Sequence, residues 1–120
     1  MKERRKFMRF SASVDVRYSA PGMAIEGSSL SRDVSREGMG FPVNRIMPIG
    51  TPLELEVNIP GKVAPIPIFA HVEVAWVKES VDRGDFDAGM RVVKIDPFDR
   101  SRLLEYVYNE WLKEKGKAAE

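Results

Sequence analysis

The chain has no cysteine and only one histidine, His71, in its 120 residues. Without cysteine there is no disulfide framework, no cysteine-bound zinc and no thiol nucleophile, which is compatible with a reducing cytoplasm. One histidine cannot build the usual multi-histidine metal sites. These two deficits exclude most metalloenzyme and thiol-enzyme chemistry, and we expect neither a metal nor an organic cofactor.

Long apolar runs are absent as well. No stretch of the sequence approaches the roughly 20 apolar residues that a membrane-spanning helix needs, and the first residues contain no apolar run of signal-peptide length. We therefore expect a cytoplasmic protein that is not embedded in a membrane. At 120 residues, 43% of them hydrophobic, the chain suffices for one domain with one core.

Positive charge is balanced overall but concentrated at one end. Lys and Arg number 19 against 18 Asp and Glu, a net charge of +1. Residues 1–10 nevertheless contain a single acidic residue and these basic ones: Lys2, Arg4, Arg5, Lys6 and Arg9. A general nucleic-acid binder would be broadly basic, so we expect no nucleic-acid polymer as a partner. A local basic segment suits a small anion instead.

Alternating apolar and polar residues indicate strands through the middle of the chain. The clearest alternation is Leu53–Ile59, which Pro60-Gly61 ends. We predict six strands, over residues 13–18, 24–30, 39–43, 53–59, 66–77 and 86–95. Short strands joined by turns indicate a mainly β protein, a six-stranded antiparallel β-barrel, rather than a βαβ fold.

The apolar period changes after residue 95, where a helix is expected. Asp96 is a good N-cap and Pro97 is tolerated in a first turn. The apolar residues that follow recur on one stripe, at Leu104, Val107, Tyr108, Trp111 and Leu112. The sequence thus predicts a single domain over residues 1–120, with a flexible arm at 1–10, a barrel at 13–95 and a helix at 97–115 lying against it.

Two short stretches carry residues suited to a particular ligand. Arg5 and Arg9 form an R-x-x-x-R spacing, and Asp33–Gly38 reads D-x-S-x-x-G. Arginine offers a planar fork of donors that matches phosphate and the O6/N7 edge of guanine, while aspartate accepts from guanine N–H groups. Taken singly, the arginines are also explained by a solvated basic tail, and the Asp/Ser/Gly pattern by an ordinary turn.

The order and separation of these two stretches resemble the PilZ domain, the bacterial receptor module for the second messenger cyclic di-GMP. The resemblance extends over essentially the whole chain, through Ala75-Trp76-Val77, Ala88–Val92 and the amphipathic end. One departure is that PilZ domains often carry a Phe in the last strand, where this chain has Arg91–Lys94. That difference concerns barrel packing more than ligand contacts.

The resemblance implies a role for each motif residue. Arg5 and Arg9 would clamp phosphate and guanine edges, and Asp33 and Ser35 would complete the guanine contacts. Gly38 would let the backbone come close. A further implication concerns Arg4, just before the R-x-x-x-R motif, because an arginine there resembles members that bind an intercalated ligand pair.

As a whole, the resemblance implies a cyclic di-GMP receptor without enzymatic activity, whose arm becomes ordered on binding and presents a new surface to a downstream protein partner. Two other classes stay open. One is a PilZ-like interaction module that binds no nucleotide, against which the intact motifs argue. The other is a small-barrel nucleic-acid binder, which would need interleaved exposed aromatic residues and a wider basic surface.

The remaining conspicuous residues have structural interpretations. His71 is expected on a solvent-facing strand surface, since no nucleophile partner for a catalytic base is evident. Trp76 and Trp111 are expected in the core, with a base-stacking platform as the alternative for either. Glu54 and Glu56 alternate with apolar residues and are expected on the wet face of a strand rather than as a catalytic carboxylate pair.

Overall fold

The structure, a computed structural model, describes residues 8–119 of the chain and contains eight strands followed by one helix in that range. The strands are β1 (Phe10–Ser11), β2 (Asp15–Ala20), β3 (Ile25–Leu30), β4 (Asp33–Val34), β5 (Gly38–Val43), β6 (Pro52–Ile59), β7 (Ile66–Glu79) and β8 (Phe86–Ile95). The helix α1 spans Pro97–Ala119. The expected class, mainly β with a C-terminal helix, is confirmed, but the strand count is eight where the sequence predicted six.

All eight strands belong to one antiparallel sheet with the order β1-β4-β5-β8-β7-β6-β2-β3. The sheet curls until β3, at one edge, comes back to β5, where the Ser29 hydroxyl donates to the Pro42 carbonyl at 2.7 Å. Because strands twist with a fixed hand, a long antiparallel sheet closes on itself in this way. The result is a half-barrel with a concave inner face.

The two strands that the sequence did not predict, β1 and β4, are two residues long. Phe10 pairs with Val34 and Ser11 with Asp33, and Asp33 in turn pairs with Gly40 of β5. An alternation of period two cannot be recognised in two residues, so no sequence pattern reveals such strands. Their pairing nevertheless fixes residues 10 and 11 beside the D-x-S-x-x-G stretch.

The core fills the concave face, where alternate residues of each strand point inward. In β6, for example, Leu53, Leu55 and Val57 are buried while Glu54 is exposed. The helix adds its own buried residues to this core, chiefly Leu103 and Val107, so α1 closes over the barrel.

The helix begins at a side-chain cap and extends beyond the expected end at residue 115. The Asp96 carboxylate accepts a hydrogen bond from the Asp99 backbone N–H at 3.1 Å, which satisfies one of the unpaired donors of the first turn. Tyr108 and Leu112 keep almost half of their surface exposed and Trp111 is half-buried, so the barrel covers only part of the expected apolar stripe. Among residues 8–119, no helix combines the length and hydropathy of a membrane span.

A bulge in β7 changes which of its side chains face outward. Ile68, Val72 and Val74 are buried in regular alternation. Between Val74 and Trp76 the pairing with β8 shifts, leaving Ala75 as the extra residue, and such a shift moves the following side chains to the other face. Trp76 consequently lies on the outer face with 39% of its surface exposed. The expectation that Trp76 belongs to the core is wrong for this reason.

Candidate functional site

Four residues in a row across the outer face define the candidate site. Asp33 of β4 lies directly opposite Gly40 of β5, Gly40 opposite Gly89 of β8, and Gly89 opposite Trp76 of β7. Directly opposed residues point to the same face of a sheet, so the side chains of Asp33 and Trp76 flank two glycines. With adjacent strands about 4.8 Å apart, β4 and β7 are separated by roughly 14 Å. We call the backbone of Gly40 and Gly89 the glycine floor.

The glycine floor is covered from both sides by the flanking side chains. A Cβ on Gly89 would lie 2.2 Å from the indole Nε1 of Trp76, so the indole occupies the volume above that residue. A Cβ on Gly40 would lie 3.3 and 3.4 Å from the two carboxylate oxygens of Asp33. Because Gly40 and Gly89 are opposite each other, an aromatic ring and a hydrogen-bond acceptor lie side by side on the sheet surface.

The Asp33 carboxylate is held by Arg9, whose Nη1 donates to Oδ1. The two side chains are 17% and 33% exposed, so the ion pair is partly shielded from water. The Nε of Arg9 is buried and makes no hydrogen bond in the described part of the chain. One arginine of the R-x-x-x-R motif therefore contacts the aspartate of the second motif, and its Nε has no acceptor among the described residues.

Ser35 and Gly38 form the turn that follows Asp33. The Ser35 N–H donates to the Gly38 carbonyl at 2.8 Å, and the Ser35 hydroxyl accepts from the Glu37 N–H at 3.3 Å. Both residues are buried, and a Cβ on Gly38 would lie only 2.0 Å from the carbonyl oxygen of Met90. In this structure Ser35 closes the turn, and Gly38 permits the close approach of β5 to β8.

The beginning of the described chain lies against both the barrel and the helix. Arg9 contacts Asp33, and the next residue, Phe10, makes edge contacts with Tyr108 and Trp111, at ring-centroid distances of 5.7 and 5.5 Å. The last residues of the expected flexible arm are thus packed in place. Arg4 and Arg5, the other arginines predicted for the site, lie outside the described residues.

Charged residues border the glycine floor on the side of the β7–β8 hairpin. Asp87, two positions before Gly89 in β8, pairs with Arg83 Nη2 at 2.9 Å and with Arg32 Nε at 3.4 Å. The carboxylates of Asp85 and Asp87, at 2.8 and 2.9 Å from Arg83 Nη2, raise the pKa of Arg83 above its ordinary value. Two arginines thus converge on a single carboxylate here.

Further cations lie along β7 and β8. Arg91, opposite Gly38, pairs with Glu73 across the two strands. The ammonium of Lys78 lies 5.4 Å from the ring centroid of Trp76. The sequence alone did not distinguish these cations, because charged residues alternate with apolar ones along several strands. The acidic residues show no metal-like grouping: between residues 8 and 119, no three His, Asp or Glu side chains are placed to hold an ion.

The family is shown by a sequence model. The model of the PilZ domain matches residues 3–109, which is most of the chain. This protein belongs to the PilZ domain family, as the two motif stretches indicated. Among curated proteins, none has a sequence that matches the chain.

Solved structures share the fold at low sequence identity. The Bacillus subtilis inhibitor of motility (MotI/DgrA) has a TM-score of 0.79 and 20% identity over 93% of this chain and 53% of its own. The PilZ domain of Escherichia coli YcgR with c-di-GMP has a TM-score of 0.71 and 18% identity over 98% of both chains. The K. pneumonia MrkH–c-di-GMP complex has a TM-score of 0.70 and 15% identity over 97% of this chain and 56% of its own. The chain thus spans about half the length of MotI and of MrkH.

Proposed function

We propose that this chain is a receptor for cyclic di-GMP that passes the signal to a downstream protein partner and catalyses no reaction. The observation that carries the proposal is the contact between Arg9 and Asp33, which joins the two motif stretches across 24 residues of sequence. Membership in the PilZ family supports it, as does the likeness to PilZ structures determined with c-di-GMP.

The row of residues on the outer face is complementary to guanine. The Asp33 carboxylate accepts from the guanine N–H groups, and the unused donors of Arg9 reach the O6/N7 edge or a phosphate. Trp76 offers an aromatic surface on which the base stacks. We therefore add Trp76 to the residues proposed from the sequence, which are Arg4, Arg5, Arg9, Asp33, Ser35 and Gly38. Of these, Ser35 and Gly38 are buried in the turn that follows Asp33.

In this proposal the basic arm transmits the signal by becoming ordered when the ligand binds. Residues 1–10 carry five basic residues and few apolar ones, so little buried surface compensates the entropy of ordering them. The ligand phosphates supply counter-charge and hydrogen bonds, and the segment before Arg9 closes over the ligand. Arg4 favours an intercalated ligand pair. The closed segment presents the surface that the partner reads.

A calorimetric titration with cyclic di-GMP tests the proposal, with cyclic di-AMP, GTP and a single-stranded oligonucleotide as controls. We expect cyclic di-GMP to bind in the micromolar range or tighter, and cyclic di-AMP much more weakly. The reason is that adenine presents an N6 donor where guanine presents the O6 acceptor, so the arginine fork loses its partner. Equal heats from both dinucleotides would contradict guanine recognition. Heat from no nucleotide would favour the nucleotide-independent interaction module.

A further inference from the structure

Lys78 lies at the edge of the candidate site and has no acidic partner among the residues that the structure describes. Its ammonium lies over the Trp76 ring, 5.4 Å from the centroid. The residue directly opposite on β8 is Asp87, but the Asp87 carboxylate is already engaged by Arg83 and Arg32. Within residues 8–116, no carboxylate pairs with the Lys78 ammonium. The positive charge of Lys78 is therefore available to an anion that approaches the glycine floor.

The ammonium lies close to the ring on which a base would stack. The indole of Trp76 covers the backbone of Gly89, so the ring face turned away from the sheet is the one open to an incoming base. Lys78 lies two residues further along β7, with its ammonium 5.4 Å from the ring centroid. Stacked aromatic rings have centroids about 4.5–7 Å apart, a range that includes the present distance of the ammonium from the indole. A base stacked on the same ring face would therefore displace the ammonium from its present position.

We propose that Lys78 is a ligand-binding residue that exchanges its contact with Trp76 for an ion pair with a ligand phosphate when a guanine stacks on the indole. The inference rests on the proposed function. In a cyclic dinucleotide each base is joined through its sugar to the phosphates, so the anion arrives together with the base that displaces the ammonium. The exchange is favourable because a charge-assisted bond to phosphate is stronger than an exposed cation–π contact.

This assignment differs measurably from a role in which Lys78 merely covers the indole. If it only covered the ring, its removal would expose Trp76, and cyclic di-GMP would bind more tightly. If the ammonium moves to a phosphate, its removal eliminates an ion pair, so binding weakens. The dependence of affinity on salt then also decreases, because fewer charge contacts remain to be screened.

The test is calorimetry with cyclic di-GMP on the wild-type chain, Lys78→Met and Lys78→Arg at low and at high salt. Methionine keeps a long apolar side chain and removes only the charge. We expect Lys78→Met to weaken binding about three- to tenfold at low salt and much less at high salt, because screening already weakens the ion pair there. Lys78→Arg restores the charge and is expected to retain most of the affinity.

Lys115 provides a matched control. Its ammonium lies 4.9 Å from the ring centroid of Trp111 on α1, the same kind of contact at a tryptophan outside the proposed site. Lys115→Met is expected to leave both the affinity and its salt dependence unchanged. In a Trp111→Phe background, Trp76 is the one tryptophan that remains of the two in the chain. Cyclic di-GMP should then quench its fluorescence whether or not Lys78 is present, which reports stacking separately from the ion pair.

The outcomes separate this assignment from the function on which it rests. Unchanged or tighter binding by Lys78→Met, with wild-type binding intact, overturns the role of Lys78 and leaves the receptor function standing. An equal loss of affinity in Lys115→Met would show that the loss in Lys78→Met comes from net charge, and would also overturn the role of Lys78. No binding of cyclic di-GMP by the wild-type chain overturns the receptor function and this assignment with it.

Discussion

The outer face of the sheet has two halves that differ in regularity. On β2 and β6, the exposed residues Arg17 and Glu54 alternate with buried ones, and the two strands pair in unbroken register. On β5, β8 and β7, the outer positions include the two residues of the glycine floor, and a bulge brings Trp76 outward. The candidate site thus lies where the sheet departs from its own alternation, as expected if a site requires local exceptions to the rules that stabilise a fold.

The two halves also differ in charge. Around Arg17, the regular half carries the acidic residues Glu26, Glu54 and Glu56 on neighbouring strands. The irregular half carries Arg9 beside Asp33, and Lys78 without a carboxylate partner among the described residues. An anion therefore meets several carboxylates around one arginine on the first surface, and on the second an ammonium that no described carboxylate engages. Variants on each half test whether stability and cyclic di-GMP binding depend on these differences in regularity and charge.

The largest effect is expected from Gly38→Ala, which adds one methyl group to the irregular half. The new Cβ would lie 2.0 Å from the Met90 carbonyl oxygen, and a backbone atom cannot move aside as a flexible side chain does. We expect the free energy of unfolding to fall by about 3 kcal/mol, the upper end of the cost of overpacking. Urea denaturation measures this change.

Gly116→Ala is the matched control for that substitution. Gly116 lies in α1, and a Cβ there would meet nothing within 4 Å. Alanine is the better helix former, so this variant should be more stable than the wild type by about 0.5–1 kcal/mol. A wild-type unfolding midpoint for Gly38→Ala would show that β5 and β8 do not require this close approach.

The next effect concerns the ion pair at the site. Arg9→Ala or Asp33→Ala should each weaken cyclic di-GMP binding by roughly 1.5–3 kcal/mol, the scale of a hydrogen bond to a charged group. Because the two side chains contact each other, their effects should not add in the double variant. Arg17→Ala, on the regular half, should change binding by less than about 0.5 kcal/mol. A loss of binding for Arg17→Ala as large as that for Arg9→Ala would mean that the site has been assigned to the wrong half of the sheet.

Two exposed aromatic residues of β7 sharpen the comparison further. Trp76→Ala should weaken cyclic di-GMP binding by about 1–2 kcal/mol, because it removes the stacking surface. Phe69 is more exposed, at 61% against 39% for Trp76, but it lies before the bulge and opposite Glu56 on the regular half. Phe69→Ala should leave the affinity within about 0.5 kcal/mol of the wild type. Calorimetry of the two variants decides whether the exposure of an aromatic ring or its position on β7 determines its contribution to cyclic di-GMP binding.

The smallest effect is expected in amide hydrogen exchange at the N-terminus. Cyclic di-GMP should slow exchange in residues 1–7, where the proposed clamp forms. Phe10 and Ser11 should change little, because β1 already pairs with β4. Short labelling times at low pH make amides that exchange quickly measurable. If protection appears only in α1 while residues 1–7 exchange as before, the arm is not the clamp.

Most of the fold could be predicted from the sequence because most of its elements are long enough to display a period. Each of the six predicted strands corresponds to a long strand of the structure, and the Asp96 cap precedes α1 as expected. The two remaining strands, β1 and β4, have two residues each, and only tertiary pairing creates them. Periodicity therefore predicts the barrel and misses the short strands that position Arg9 and Asp33.

The site could be predicted in part from residue chemistry. Arg9 and Asp33 followed from their donor and acceptor groups. For Trp76 the sequence favoured the core and left a base-stacking platform as the alternative, because with Val72 and Val74 it continues an alternation that the bulge interrupts. Gly89 was the available signal, since only a residue without a side chain leaves room for an indole on the opposite strand. The direct guanine contact of Ser35 stays a prediction, and in the structure its hydroxyl closes a turn.

The brevity of β1 has a consequence for how the chain tolerates change. Successive residues of an extended segment face opposite sides, so Arg9 points to the Asp33 carboxylate while Phe10 points to the rings of Tyr108 and Trp111. Two paired positions fix the register of this segment against β4. Inserting a single residue after Arg9 would turn the guanidinium toward the aromatic rings, so the spacing at this point matters as much as the identity of either side chain.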